Sequence, residues 1–444
     1  MIPPPYTHQK ETSDFISATP NVFVTSSCGT GKTRSVLDAF AKTNEKMLVF
    51  APLSILKPAW GDDIDKFAPQ LSYSIAYSRN RAKAFSQNVD IVITNHDAIK
   101  WLKDNPNYIS NFSWLVIDES DASKNKNSQR SKAMAKIAPH FKKRILMTGT
   151  PNGNTILDTW HQIYILDKGE RLGGYFPFRN AVCAPKQVGP SIQMIKWVDK
   201  PGAEEIVADL IKDINIRYTL EECIDIPENV TRRIYVELNN KSRAAYNELA
   251  DNAILELSHG TVSALHAGTL TQKLAQLAAG SVYDEDGEAQ IVHKDRYELI
   301  IELVRERKHT VVFYNWTHQR DILKLLADKA KLTHASIYGG MTENQRNNAV
   351  SDFQSGKLSV IFCQVQAAAH GLTLTKGATT IFTSALYNAS YAKQAMHRIY
   401  RAGQTKKTET LFICAKDTIE EHIYTQLESK TGKLDNLLDL LNRL

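Results

Sequence analysis

The stretch Ser26-Ser27-Cys28-Gly29-Thr30-Gly31-Lys32-Thr33 constrains this chain more than any other. An apolar run, Val22–Thr25, precedes it and reads as a strand; Ser35–Phe40 follows and reads as the start of a helix. Strand, glycine turn, Lys-Thr and helix, in that order, make the context that a phosphate-binding loop requires. Backbone N–H groups of such a turn point inward, and the helix N-terminus adds positive partial charge. Ser27, Cys28, Gly29, Thr30 and Gly31 form the expected cradle, Lys32 reaches the outer phosphates, and the Thr33 hydroxyl is placed to hold Mg²⁺. Ser26 stands where the strict pattern has its first glycine, a small residue that fits if the turn is unstrained there.

The remaining chain repeats one plan twice. Short apolar runs at Val22–Thr25, Met47–Ala51, Asp90–Thr94, Trp114–Asp118 and Arg144–Thr148, then at Thr310–Tyr314, Ala335–Tyr338, Leu358–Cys363, Thr379–Thr383 and Thr410–Cys414, alternate with helical stretches. Bounded runs of this kind mark buried parallel strands. The fold class is α/β, with two mainly parallel sheets flanked by helices in two lobes and a cleft between them. A chain of 444 residues is long enough for both. The boundary is placed at Ile224–Val230, where Pro227 and Asn229 interrupt regular structure, giving domains 1–225 and 226–444. Helical patterns extend the first domain after about residue 155 and form an insert over about 240–280. Asp284–Gly287 reads as an exposed turn. Leu434, Leu437, Leu438, Leu441 and Leu444 share one helical face and read as a brace over about 430–444.

Composition excludes several classes. With 43% hydrophobic and 23% charged residues the chain is not mainly disordered. Five scattered cysteines without a Cys-x-x-Cys pair argue against a disulfide framework or zinc site and for a reducing compartment. No signal peptide or membrane-spanning run is visible, so an intracellular, cytoplasmic protein without a membrane partner is expected. A net charge of +6 permits a polyanionic partner without requiring one.

Three further constellations point to phosphoryl chemistry. Trp114–Asp118 ends in adjacent carboxylates at the sheet edge from which the phosphate loop emerges: Asp118 is placed to hold Mg²⁺ and Glu119 to orient or deprotonate water. Thr148-Gly149-Thr150 ends another strand there, and its two hydroxyls suit a coupling between the carboxylates and the second lobe. Arg398 and Arg401, three apart, share a face if helical, and can neutralise charge on a transferred phosphoryl group. Trp316 can stack on a base or sugar or cover its lobe's interior. Lys124, Lys126, Arg130, Lys132, Lys136, Lys142, Lys143 and Arg144 form a basic stretch, either a solvated face or a phosphate track.

The order of these blocks resembles a superfamily-two helicase core, closest to the Swi/Snf-type remodelling ATPases, over nearly the whole chain. Pro5-Tyr6-Thr7-His8-Gln9 is similar to the family's adenine-reading block, which puts Gln9 at the nucleotide. Pro52 and Thr94 fall in blocks similar to the family's motif Ia and its next strand block, implying nucleic-acid contact. Asp118-Glu119-Ser120-Asp121 stands where Asp-Glu-Ala-His is commoner. Ala367–Leu374 with Gly371, and Gln394 through Gln404, resemble second-lobe blocks, implying cofactor roles for Gly371 and Gln394. Thr418–Glu421 resembles a later block. The resemblance implies two RecA-like lobes, ATP and Mg²⁺ as cofactors, and a monomeric motor on double-stranded or branched DNA, with RNA still open. The alternatives are a strand-separating helicase and a nucleic-acid-binding scaffold that has lost turnover.

Overall fold

The computed structural model describes residues 2–153, 155–187, 195–223, 227–258, 264–283, 289–368, 372–401 and 403–429. Gly371, the Asp284–Gly287 turn and the 430–444 brace lie outside them.

The apolar runs of the first half become β1 (Asn21–Val24), β2 (Met47–Ala51), β3 (Tyr73–Ala76), β4 (Ile91–Asn95), β5 (Trp114–Asp118) and β6 (Lys143–Met147). An antiparallel hairpin follows, β7 (Cys183–Gln187) with β8 (Ile195–Asp199), and then a short β9 (Asn215–Ile216). Seven strands, all parallel, line up as β3-β4-β2-β5-β6-β1-β9. The central strands are buried on both faces, which is why they read as continuous apolar runs rather than alternating ones. Phe23, Phe50, Ile117 and Leu146 belong to one core layer. Val24, Val49, Val116 and Met147 belong to the other, with Val36, Leu37 and Phe40 from the helix after the phosphate loop. The extension after β6 is helical at Leu157–Asp167, Tyr175–Val182 and Ala203–Ile211.

A second parallel sheet has six strands: β10 (Asn229–Val236), β13 (Thr310–Tyr314), β14 (His334–Ile337), β15 (Val360–Gln364), β16 (Thr379–Phe382) and β17 (Thr408–Ala415). Their order is β10-β17-β16-β13-β15-β14. Between β10 and β13 lie the helices Asn240–Ser258 and Ala264–Ala278, and the small antiparallel pair β11 (Ser281–Tyr283) and β12 (Ala289–Ile291). The chain divides into two compact units, with the division between Asp225 and Ile226. Each holds one of the large sheets, so the fold class is two RecA-like α/β lobes.

Two strands correct the sequence reading. Asn229 does not interrupt regular structure; it opens β10, which pairs with β17 from Asn229↔Thr408 to Val236↔Ala415. This edge strand carries polar Thr231, Arg232 and Arg233, with Arg232 exposed, so it lacks the apolar signature of its neighbours. β3, the opposite kind of omission, is an edge strand whose buried positions alternate with half-buried ones.

Candidate active site

The phosphate loop lies between β1 and the helix Lys32–Phe40. Gly29 and Gly31 have φ of +85° and +83°, a region that an L side chain adopts only with strain. Gly31 is needed for space as well: a Cβ there would come within 2.2 Å of Gln9 Nε2. Lys32 Nζ donates to Ser26 O (2.9 Å) and Ser27 O (3.1 Å), so it lies along the inner face of the loop. Thr30 Oγ1 donates to Ser27 O at 2.9 Å. The loop is fastened from outside by the backbone of one residue, Tyr218, at two points. Ser26 Oγ accepts from Tyr218 N at 3.0 Å, and Ser27 N donates to Tyr218 O at 2.9 Å.

Gln9 is buried at the start of the helix Thr7–Ala18. Its Oε1 accepts from Tyr6 N (3.1 Å), and its Nε2 donates to Thr30 O (3.2 Å). His8 Nε2 is 2.8 Å from the same carbonyl, and its ring stacks on Tyr6 with centroids 5.8 Å apart. The first helix therefore reads the back of the loop through two side chains.

Sheet order explains what meets what at the carboxyl edge. β6 lies between β1 and β5, so the loop and the carboxylates flank the Thr148–Pro151 turn, about 10 Å apart at two strand spacings. A Cβ on Gly149 would be 3.1 Å from Cys28 Sγ, which makes Cys28 a small filler under that turn. Asp118 is buried. Its Oδ2 accepts from Trp60 Nε1 at 3.0 Å and its Oδ1 from Glu119 N at 3.0 Å. Burial, then the Glu119 charge, pushes the Asp118 carboxyl up to about 6; the Trp60 donor and the Lys32 charge act against them. Glu119 has φ +49°, costly for a residue with a side chain. Asp121, in the position where the resemblance leads one to expect histidine, is held up to about 7 by burial and by the Glu119 charge, against the opposing Lys124.

Asp118 and Thr33 offer oxygen donors only, the chemistry Mg²⁺ prefers. A divalent cation beside Asp118 also offsets the burial that lifts its carboxyl, so the residues fit the ion.

Thr148 and Thr150 both lie buried in the turn at that edge. Thr148 Oγ1 accepts from Thr150 N at 3.0 Å, a bond inside the turn. Gln162, which no local motif flags, bonds to both the carboxylate turn and the Thr148–Pro151 turn. Trp60 likewise comes to the site from far along the chain; its bond to Asp118 spans 58 residues.

In the second unit, the helix Ala389–Met396 stops before the arginines. Arg398 and Arg401 therefore do not share a helical face; they are gathered by the tight turns that follow and by a common acceptor. Arg398 Nη1 and Arg401 Nη1 both donate to Leu372 O, at 3.3 and 2.8 Å. Arg398 Nε also donates to Gln394 O at 2.8 Å. Gln394 itself is fully buried. Gln404 secures the end of the block, with Nε2 donating to Gly377 O at 2.8 Å and Oε1 accepting from Thr405 N and Lys406 N.

The residues expected at a polymer lie in different surroundings. Pro52 caps the short helical turn after β2. Thr94 is fully buried and donates to Ala76 O at 2.9 Å, so its side chain has no exposed surface. Trp316 packs on the second unit's core and stacks on His318, 6.0 Å between centroids. Much of the basic stretch is engaged internally: Lys124 pairs with Asp158, Arg130 with Asp97, Lys143 bonds Ile16 O and Ser17 O, and Arg144 bonds Asn21.

A phosphate loop with strand-end carboxylates on a parallel sheet, followed by a second such sheet carrying paired arginines, defines a helicase-like P-loop ATPase. Residues 15–281 match the SNF2-related domain and residues 295–403 the helicase conserved C-terminal domain. The chain belongs to the SNF2 family and is an ATP hydrolase. It is 27% identical to protein p41 of Acyrthosiphon pisum secondary endosymbiont phage 1, with 94% of each chain covered. It is 26% identical to an uncharacterized ATP-dependent helicase of Mycoplasma genitalium, over 89% of this chain and 38% of that one. Against human DNA annealing helicase and endonuclease ZRANB3 the identity is 24%, over 90% of this chain and 37% of that one. The chain thus spans well under half the length of the latter two relatives. Among the described residues no helix is long and apolar enough to cross a membrane.

Proposed function

We propose that the protein is a motor that hydrolyses ATP to move along double-stranded DNA and so displaces bound proteins or remodels DNA structures. The observation that carries this reading is the joint presence of two half-sites. One unit holds the phosphate loop with Asp118 and Glu119, and the other holds Arg398 and Arg401 drawn to one carbonyl. Lys32 binds the outer phosphates, and Glu119 orients the attacking water. Asp118 and Thr33 would hold Mg²⁺, which would supply charge neutralisation for the phosphoryl group. The arginines act on the same triphosphate during turnover, so hydrolysis draws on both units and is coupled to their motion. Residues 1–225 serve as the ATP-binding lobe and 226–444 as the helicase lobe.

DNA is favoured as the track because a relative that aligns over most of this chain is named a DNA annealing helicase. The test is phosphate release by the protein with no polymer, single-stranded DNA, double-stranded DNA, branched DNA and RNA, beside triplex- and strand-displacement assays. We expect stimulation by double-stranded DNA and triplex displacement without strand separation. Strand separation in place of triplex displacement would establish an unwinding helicase, and no phosphate release under any condition would leave a binding scaffold.

A further inference from the structure

We propose that Gln162 is a positioning residue for hydrolysis, tying the Glu119 turn to the Thr148–Pro151 turn and thereby to the phosphate loop. The proposal rests on the ATPase reading above.

Gln162 lies in the middle of the helix Leu157–Asp167 and is fully buried. An apolar side chain of similar size would fill that space with no polar demand, whereas a buried amide must find partners. Gln162 finds three. Its Oε1 accepts from Ser120 Oγ at 2.7 Å, and its Nε2 donates to Pro151 O at 2.8 Å and to Asp158 O at 3.0 Å. Two of the three belong to the strand-end turns.

Each end of this bridge sits beside a working part of the site. Ser120, also fully buried, directly follows Glu119, whose left-handed backbone costs about 1–3 kcal/mol and must be held from outside. Pro151 closes the turn whose Gly149 lies against Cys28 of the phosphate loop. A displacement at the loop therefore reaches Glu119 through one packed contact and one amide. The helix and the Glu119 turn are fastened at two more points, His161 Nδ1 to Ser123 O at 2.7 Å and Lys124 to Asp158 at 3.4 Å. They are held together as one body, with Gln162 its link to the neighbouring strand end. Gln162 touches no reacting atom in this arrangement; it acts through Ser120.

The experiment is steady-state phosphate release by wild type, Ser120→Ala, Gln162→Leu and the double variant, with Lys32→Ala as the baseline and thermal melting run alongside. We expect Gln162→Leu to lower kcat about 10- to 100-fold and Ser120→Ala about tenfold, each with the KM for ATP within about twofold. The double variant should be no slower than Gln162→Leu, because both substitutions break one bridge. A purely structural role would lower the melting temperature and leave kcat per folded molecule unchanged. The proposal is overturned if folded Ser120→Ala and Gln162→Leu keep kcat within about twofold of wild type, or if their losses multiply in the double variant. Should Gln162→Leu not fold, Ser120→Ala decides by the same criterion. Wild-type turnover no higher than the Lys32→Ala baseline would overturn the ATPase reading itself, a different result from wild-type turnover that these variants fail to change.

Discussion

Replacing Trp60 by Phe should make the Mg²⁺ requirement of the ATPase steeply pH-dependent. Trp60 is fully buried, and among the described residues its indole N–H is the one side-chain donor on Asp118 Oδ2, at 3.0 Å. A hydrogen bond to a charged group contributes about 1.5 kcal/mol, which corresponds to about one pH unit in the ionisation of the acceptor. The Asp118 carboxyl, already lifted to about 6 by burial and the Glu119 charge, would move to about 7 without the indole. Metal binding needs the ionised carboxylate. At pH 6 the ionised fraction falls from about one half to about one tenth, and at pH 8 it stays above about nine tenths in both proteins. The Mg²⁺ concentration for half-maximal phosphate release should therefore rise about fivefold at pH 6 and hardly at all at pH 8. Equal effects at the two pH values would refute the reasoning, because a lost packing contact alone has no reason to follow the protonation of Asp118.

Two further outcomes concern the Glu420–Arg296 pair of the second unit and Asp121 beside Glu119. Glu420 and Arg296, both fully buried, are joined at 2.5 and 2.9 Å, and Glu420 also accepts from Ala415 N at 2.7 Å. Glu420→Ala strands the guanidinium and should cost the second unit about 3–5 kcal/mol in urea unfolding; a loss under about 1 kcal/mol would show that the pair is not desolvated. Asp121 has a folded pKa raised to about 7. Its ionisation therefore costs stability that accrues as pH rises from the unfolded carboxylate range through that value, and none is lost at lower pH where both states are protonated. Asp121→Asn should raise the melting temperature more at pH 8 than at pH 5, and an equal change at both would contradict the shift.

Local grammar carried the strands buried on two faces and the phosphate loop, because each is written in one contiguous run. Trp114–Asp118 reads as a strand ending in carboxylates, and it is one. What escaped was set by partners distant in sequence. β10 is half-buried or exposed along its whole length because it sits at a sheet edge, and only its pairing with β17, 179 residues away at Thr408–Asn229, marks it as a strand. The arginine pair is legible as a pair, but its gathering at Leu372 O requires a carbonyl 26 and 29 residues earlier. Gln162 is one of several polar residues in its helix, beside Asp158, Thr159 and His161, so the local run does not single it out. Its partner Ser120, 42 residues away, is set by the order of β5 and β6 in the sheet.

ATP binding and turnover by Arg401→Ala, measured together in the presence of double-stranded DNA, test the central claim most directly. If one triphosphate is served by both units, the variant should bind ATP with affinity within about threefold of wild type while turnover falls about 10³-fold or more, the scale of a lost arginine at a phosphoryl transition state. Wild-type turnover by the folded variant would contradict it.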